Sequence, residues 1–158
     1  MKYAIVKQIL FTDKQNIPWN DVEIYLKQII GCKYIVEEYG DIIIVGADFP
    51  DEYAESKYTK KLRGALAKAK ANAVQVISEM IQNARNRRWV ENKDEKHNKT
   101  ASRGWYRYDT GFLLPVLDPE TGETRYNSYI ATLIVRIEHK GLYLYDIINI
   151  KKEASTPL

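Results

Sequence analysis

The chain has 158 residues, 45% of them hydrophobic and 28% charged, with a net charge of +3. That length is about one domain, able to bury roughly 70% of its unfolded surface without a disulfide or metal staple. Its composition excludes a wholly disordered polymer. With Cys32 as the one cysteine, no internal disulfide can form.

Tyr3 to Phe11 reads as a strand, followed by a turn-rich stretch from Asp13 to Pro18. Trp19 to Ile30 has the spacing of a short amphipathic helix, with Val22, Leu26, Ile29 and Ile30 on one face and Gly31 as its C-cap. Lys33 to Glu38 and Asp41 to Val45 read as a hairpin around Tyr39-Gly40. Together these elements predict a β-α-β-β subdomain over residues 1–48. Asp48, Asp51, Glu52 and Glu55 follow; their spacing fits no hard-cation loop, and charge complementarity with a helix N-terminus explains them better.

From Tyr58 to Arg88, the residues Leu62, Leu66, Ala69, Ala73, Val76, Met80, Ile81 and Ala84 recur at steps of three and four. That pattern predicts one long helix, with Gly64 as a kink or an early break. After a polar stretch from Glu91 to Gly104 the period changes to two. Trp105 to Leu117, Tyr126 to Glu138 and Tyr143 to Lys151 read as strands, joined by Asp118 to Glu123 and by the tight turn His139 to Leu142. The fold class is therefore α+β: one long helix and then an antiparallel β-meander packed on it, over residues 49–158, forming one compact unit with the N-terminal piece.

Apolar runs such as Ile42 to Val45 are too short for a membrane-spanning helix. Met1-Lys2-Tyr3-Ala4-Ile5-Val6-Lys7 breaks at once into charge, unlike a signal peptide. With the lone thiol, this points to a cytoplasmic setting.

Charge is unevenly spread. Residues 1–60 carry seven basic and ten acidic side chains, whereas residues 61–158 carry seventeen and eleven. The window from Arg85 to Arg107 holds Arg85, Arg87, Arg88, Lys93, Lys96, Lys99, Arg103 and Arg107, interleaved with Trp89, Trp105 and Tyr106. Basic residues among aromatics suit a phosphodiester backbone with stackable bases; the alternative is a solvated helix end and a charged loop.

If Lys140-Gly141 forms the tip of the last hairpin, Arg136 lies opposite Tyr145, Glu138 opposite Tyr143, Thr132 opposite Asn149 and Ile130 opposite Lys151 on one face. Val135 then faces Asp146, and Leu133 faces Ile148, on the apolar one. The polar face has the parts for RNA cleavage: Arg136 and Lys151 to hold phosphate, and His97 to shuttle a proton. Glu138 would act as base or merely neutralise Arg136. The alternative is a set of ordinary cross-strand pairs. His139 sits at a hairpin end and Cys32 reads as a packed thiol. No GxSxG, Gly-rich phosphate loop, HExxH or CxxC occurs.

Several blocks in order carry a family resemblance: Asp48-Phe49-Pro50-Asp51-Glu52-Tyr53 with Ser56-Lys57-Tyr58-Thr59; Glu91-Asn92-Lys93 with Lys96-His97; Gly104-Trp105-Tyr106-Arg107-Tyr108-Asp109; Arg125-Tyr126-Asn127; and Leu142 to Ile147 with Lys151 to Leu158. Over residues 45–158 the chain resembles a domain found at the C-terminal ends of large polyvalent and phage head-associated proteins of mobile elements. That domain is similar to ribonucleases of the barnase, EndoU, colicin and RelE type.

The resemblance implies a barnase- or RelE-like fold and a metal-independent endoribonuclease, a toxin in some members, needing no cofactor. It places His97, with Ser155 or Thr156, in the catalytic set beside Arg136 and Lys151. Arg88, Lys96, Arg103, Arg107, Tyr143 and Tyr145 are then the nucleic-acid-binding candidates. The implied partners are RNA, with tRNA and mRNA both open, and an immunity or antitoxin protein, with no membrane. The implied setting is the cytoplasm, including a host cytoplasm reached with a phage or mobile element. The other reading is a non-catalytic nucleic-acid- or partner-binding module of such an element.

Overall fold

The computed structural model describes residues 1–93, 97, 99 and 101–157, with side chains described up to residue 153. In chain order the elements are β1 (Ala4–Ile5), α1 (Trp19–Lys27), β2 (Lys33–Val36), β3 (Asp41–Val45), α2 (Phe49–Glu55), α3 (Lys57–Lys61), α4 (Gly64–Ala73), a 3-10 turn (Val74–Val76), α5 (Ile77–Gln82), β4 (Arg85–Val90), β5 (Trp105–Leu117), β6 (Thr124–Glu138) and β7 (Gly141–Pro157). The fold is α+β. Among the described residues, no helix is long and apolar enough to cross a membrane.

All the strands belong to one sheet in the order β1-β5-β6-β7-β3-β2, with β4 paired to β5. The β4-β5-β6-β7 part is the expected antiparallel meander with one strand added. The N-terminal strands join the same sheet by parallel pairing, β1 to β5 at Ala4↔Phe112 and β3 to β7 at Ile44↔Tyr143. The core lies beneath it and includes Phe49, Tyr53, Phe112, Leu133, Leu144 and Ile147, each at most 1% exposed. Burying one such side chain is worth about 1.5–3 kcal/mol.

The early break expected at Gly64 is present, but the rest of the single long helix is corrected. Leu62 and Arg63 are extended (ψ 142 and 153), and Gly64 opens α4 at φ +60, so the segment turns before it resumes as helix. Val74–Val76 then tightens to a 3-10 turn. Residues 85–88, placed at the helix end, instead belong to β4, because pairing with β5 supplies backbone partners that a solvated helix end lacks. The apolar stripe itself survives: Ala69, Ala73, Val76, Met80, Ile81 and Ala84 are all buried. The first strand is shorter than expected, two residues against nine.

The turn of the β6–β7 hairpin is His139-Lys140, not Lys140-Gly141, so Glu138 pairs with Gly141 and Arg136 with Tyr143. This two-residue difference keeps each side chain on its expected face near the turn. Bulges then absorb it. Ile134 pairs with Asp146, one residue out, and Ile130 pairs with Lys151 as expected.

Candidate functional site

An open cleft of about 910 Å³ lies between the α2–α3 segment and the start of β5. Its α2–α3 wall carries Glu52, Glu55, Ser56, Lys57 and Tyr58; the facing wall carries Val90, Trp105, Arg107, Ile134 and Tyr145, with Glu91 to Lys93 and His97 above them. Local sequence explains the first wall. Pro50 and the acids Asp51 and Glu52 open α2. Ser56 caps α3 by accepting the Thr59 backbone N–H at 3.2 Å.

His97 is buried to 9% exposure at the centre of an aromatic cluster. Its ring meets Trp105 edge-on at 5.2 Å and Tyr145 at 5.1 Å, and Trp105 and Tyr145 meet at 5.0 Å. His97 Nε2 lies 3.1 Å from the Tyr145 hydroxyl. Burial, and then the carboxylate of Glu52, push the Tyr145 phenol well above its ordinary value, so it keeps its proton. Trp105 Nε1 donates to Asn92 Oδ1 at 3.3 Å, fixing the indole. Arg107 Nε is buried and has no hydrogen-bond partner among the described residues.

The expected residues divide into two groups. His97, Tyr145 and Arg107 line the cleft together. Arg136 is 7% exposed; its Nη1 meets Asp48 Oδ2 at 2.9 Å and its Nε meets Glu138 Oε2 at 2.7 Å. Two carboxylates neutralise it, and its guanidinium lies 5.8 Å from the Tyr143 ring and 5.9 Å from that of Tyr145. Tyr143 is half-buried beside it and outside the cleft lining. Lys151 is exposed opposite Ile130, six residues along β6 from Arg136, or about 20 Å. The backbones of Ser155 and Thr156 pair with Asn127 and Tyr126, about 30 Å from Arg136. Their side chains, like all of Lys96, lie outside the described residues. The set of five catalytic candidates is therefore spread along the sheet, with His97 alone in the cleft. Arg88 pairs with Asp109 at 3.0 Å. Arg103 donates through Nη2 to His139 Nδ1 at 3.1 Å.

No protein-family model, curated protein or solved structure matches this chain. The site rests on its own geometry. Among the described residues, no group of three or more His, Cys, Asp or Glu is arranged to hold a metal ion.

Sequence reasoning had Trp105 and Lys93 within its basic and aromatic window but missed Glu52, Glu55 and Lys57 as the rim of the cleft. It also missed Lys70 and Asp146, which meet at 2.9 Å behind the α2–α3 wall. A signal for that pair was present: a lysine within an alanine-rich apolar stripe, and an aspartate on the apolar face of the last strand, both buried at 0% exposure.

Proposed function

We propose that the cleft binds a single-stranded stretch of RNA and cleaves it by 2′-hydroxyl transesterification. The observation that carries this reading is a cleft of about 910 Å³ lined by His97, Trp105 and Tyr145 together with Arg107, whose Nε has no hydrogen-bond partner among the described residues. The 2′-oxygen attacks phosphorus and the bond to the 5′-oxygen breaks, giving a 2′,3′-cyclic phosphate and a 5′-hydroxyl. Glu55 on the facing wall takes the 2′-hydroxyl proton, and His97 delivers one to the departing 5′-oxygen. Arg107 meets the charge that develops on the non-bridging oxygens. This role passes to Arg107 from Arg136, which is already neutralised, and from Lys151, which is distant.

The resemblance to the barnase, EndoU, colicin and RelE type supports the same chemistry, and with it an origin in a phage or mobile element and control by an inhibitor protein. The decisive experiment incubates the protein with total RNA and tRNA in EDTA, beside His97→Ala. Fragments ending in 2′,3′-cyclic phosphate, absent with the variant, establish the activity. Cleavage by the folded variant would overturn the role of His97.

A second reading, a nucleic-acid-binding module without catalysis, is favoured by one observation: His97 Nε2 is already engaged by the Tyr145 hydroxyl. It predicts RNA binding with a steep salt dependence and no fragments from either protein.

A further inference from the structure

Lys70 on α4 and Asp146 on β7 take no part in the chemistry proposed for the cleft, yet their side chains are 1% and 0% exposed. A buried ion pair is a poor source of stability, because desolvation offsets much of its attraction. What it does have is position, since each end holds a different wall of the cleft.

At one end, Asp146 follows Tyr145 in sequence. Leu144 pairs with Val135 and Asp146 with Ile134, so Tyr145 is the extra residue of a β-bulge. Asp146 Oδ1 accepts the Ile147 backbone N–H at 2.8 Å as well as Lys70 Nζ at 2.9 Å. That anchors the strand immediately after the bulge.

At the other end, Lys70 Nζ also donates to Thr59 Oγ1 at 2.5 Å. The Thr59 hydroxyl donates to the Tyr53 carbonyl at 2.6 Å, and the Tyr53 hydroxyl donates to the Lys70 carbonyl at 2.5 Å. Thr59 in turn is tied to Ser56, the α3 cap that lines the cleft. One ammonium therefore joins the α2–α3 wall to the bulge that presents Tyr145.

We propose that the Lys70–Asp146 pair is a positioning element of the cleft, locking the bulge so that the Tyr145 hydroxyl stays on His97 Nε2 and the facing wall stays in register with it. The proposal rests on the reading of this cleft as the functional site, but its geometric content can be tested without RNA. His97 and His139 are the two histidines of the chain, so a His139→Asn background leaves one imidazole to titrate by NMR.

In that background we compare the parent chain, Tyr145→Phe, and the apolar replacement Lys70→Met/Asp146→Leu. The expected result is a cooperatively folded double variant whose His97 midpoint is displaced from the parent's and coincides with that of Tyr145→Phe. A folded double variant titrating as the parent overturns the proposal. So does a Tyr145→Phe midpoint equal to the parent's, since the contact would then have no effect to transmit. Should the double variant not fold, Asp146→Asn decides by the same comparison. With RNA, the folded variant loses about 10²-fold in kcat with little change in KM. If the parent chain cleaves nothing, the functional reading falls while the titrations still decide the positioning role.

Discussion

Asp41, at the start of β3, and Arg87, on β4, belong to strands that do not pair, yet Arg87 Nη1 reaches the two Asp41 oxygens at 2.9 and 2.8 Å. The Tyr108 hydroxyl donates to Asp41 Oδ2 at 2.7 Å. The Arg87 guanidinium lies between the rings of Tyr39 and Tyr106, 4.5 and 4.7 Å from their centroids. This cluster ties the β2–β3 hairpin to β4 and β5. Asp41→Ala leaves the fully buried Tyr108 without its acceptor and Arg87 without its carboxylate. The expected loss is about 1–3 kcal/mol, seen as a lower urea midpoint at unchanged slope. A midpoint equal to the parent's would show that the cluster is ornamental.

Gly104 immediately precedes the cleft residue Trp105 and has φ +86. A Cβ there would stand 2.5 Å from Trp89 Nε1 and 2.8 Å from the Val90 carbonyl. Gly104→Ala therefore combines a left-handed backbone with a clash against β4. The expected cost is about 2–4 kcal/mol, or roughly 5–15 °C in melting temperature for a chain of this size. Gly122, also at positive φ (+73) but with open space around its Cβ position, serves as the control: Gly122→Ala should lose less.

The contrast between strands and helices shows what sequence can specify. Trp105 to Leu117 is found with its expected bounds, because a thirteen-residue alternation has only one way to bury a face. The stripe after Tyr58 named six buried positions, with Leu62 and Leu66 only half-buried, and the early break at Gly64 was expected; the 3-10 turn at Val74–Val76 and the strand after Ala84 were not. The strand follows from the pairing of residues 85–90 with β5, a tertiary contact that local pattern does not carry. The β6–β7 bulges were illegible for the same reason. An Asp at position 146 does not announce that Lys70, seventy-six residues earlier, will hold it.

Among the site candidates, the face of Arg136 was legible but its availability was not, since Asp48 comes from a distant segment. This separates the arginines by experiment. Arg107→Ala is expected to lower RNA cleavage by about 10²-fold and to reduce the log–log salt slope of binding by about 1. Lys151→Ala should leave both unchanged. Arg136→Ala should instead lower the melting temperature, because it leaves Asp48 and Glu138 without the cation that pairs with both. Equal losses of cleavage from Lys151→Ala and Arg107→Ala would return the phosphate site to the open sheet face.

The buried pair also gives stability a pH signature. Burial pushes the Asp146 carboxyl above its ordinary 3.8 and the Lys70 ammonium below its ordinary 10.5. A carboxyl raised by folding keeps its proton where the unfolded chain has lost it. Its contribution is full below 3.8 and disappears as pH rises through the folded value. A lowered ammonium behaves in the opposite sense: its contribution is full above 10.5 and disappears as pH falls through the folded value. Between the two shifted values both contributions are absent, so the wild-type chain is least favoured there relative to Lys70→Met/Asp146→Leu. Urea denaturation of both proteins across pH should show the double variant ahead by about 1–4 kcal/mol near neutrality, with the gap narrowing toward acid and toward alkali. A gap that stays constant with pH would mean that burial does not shift this pair.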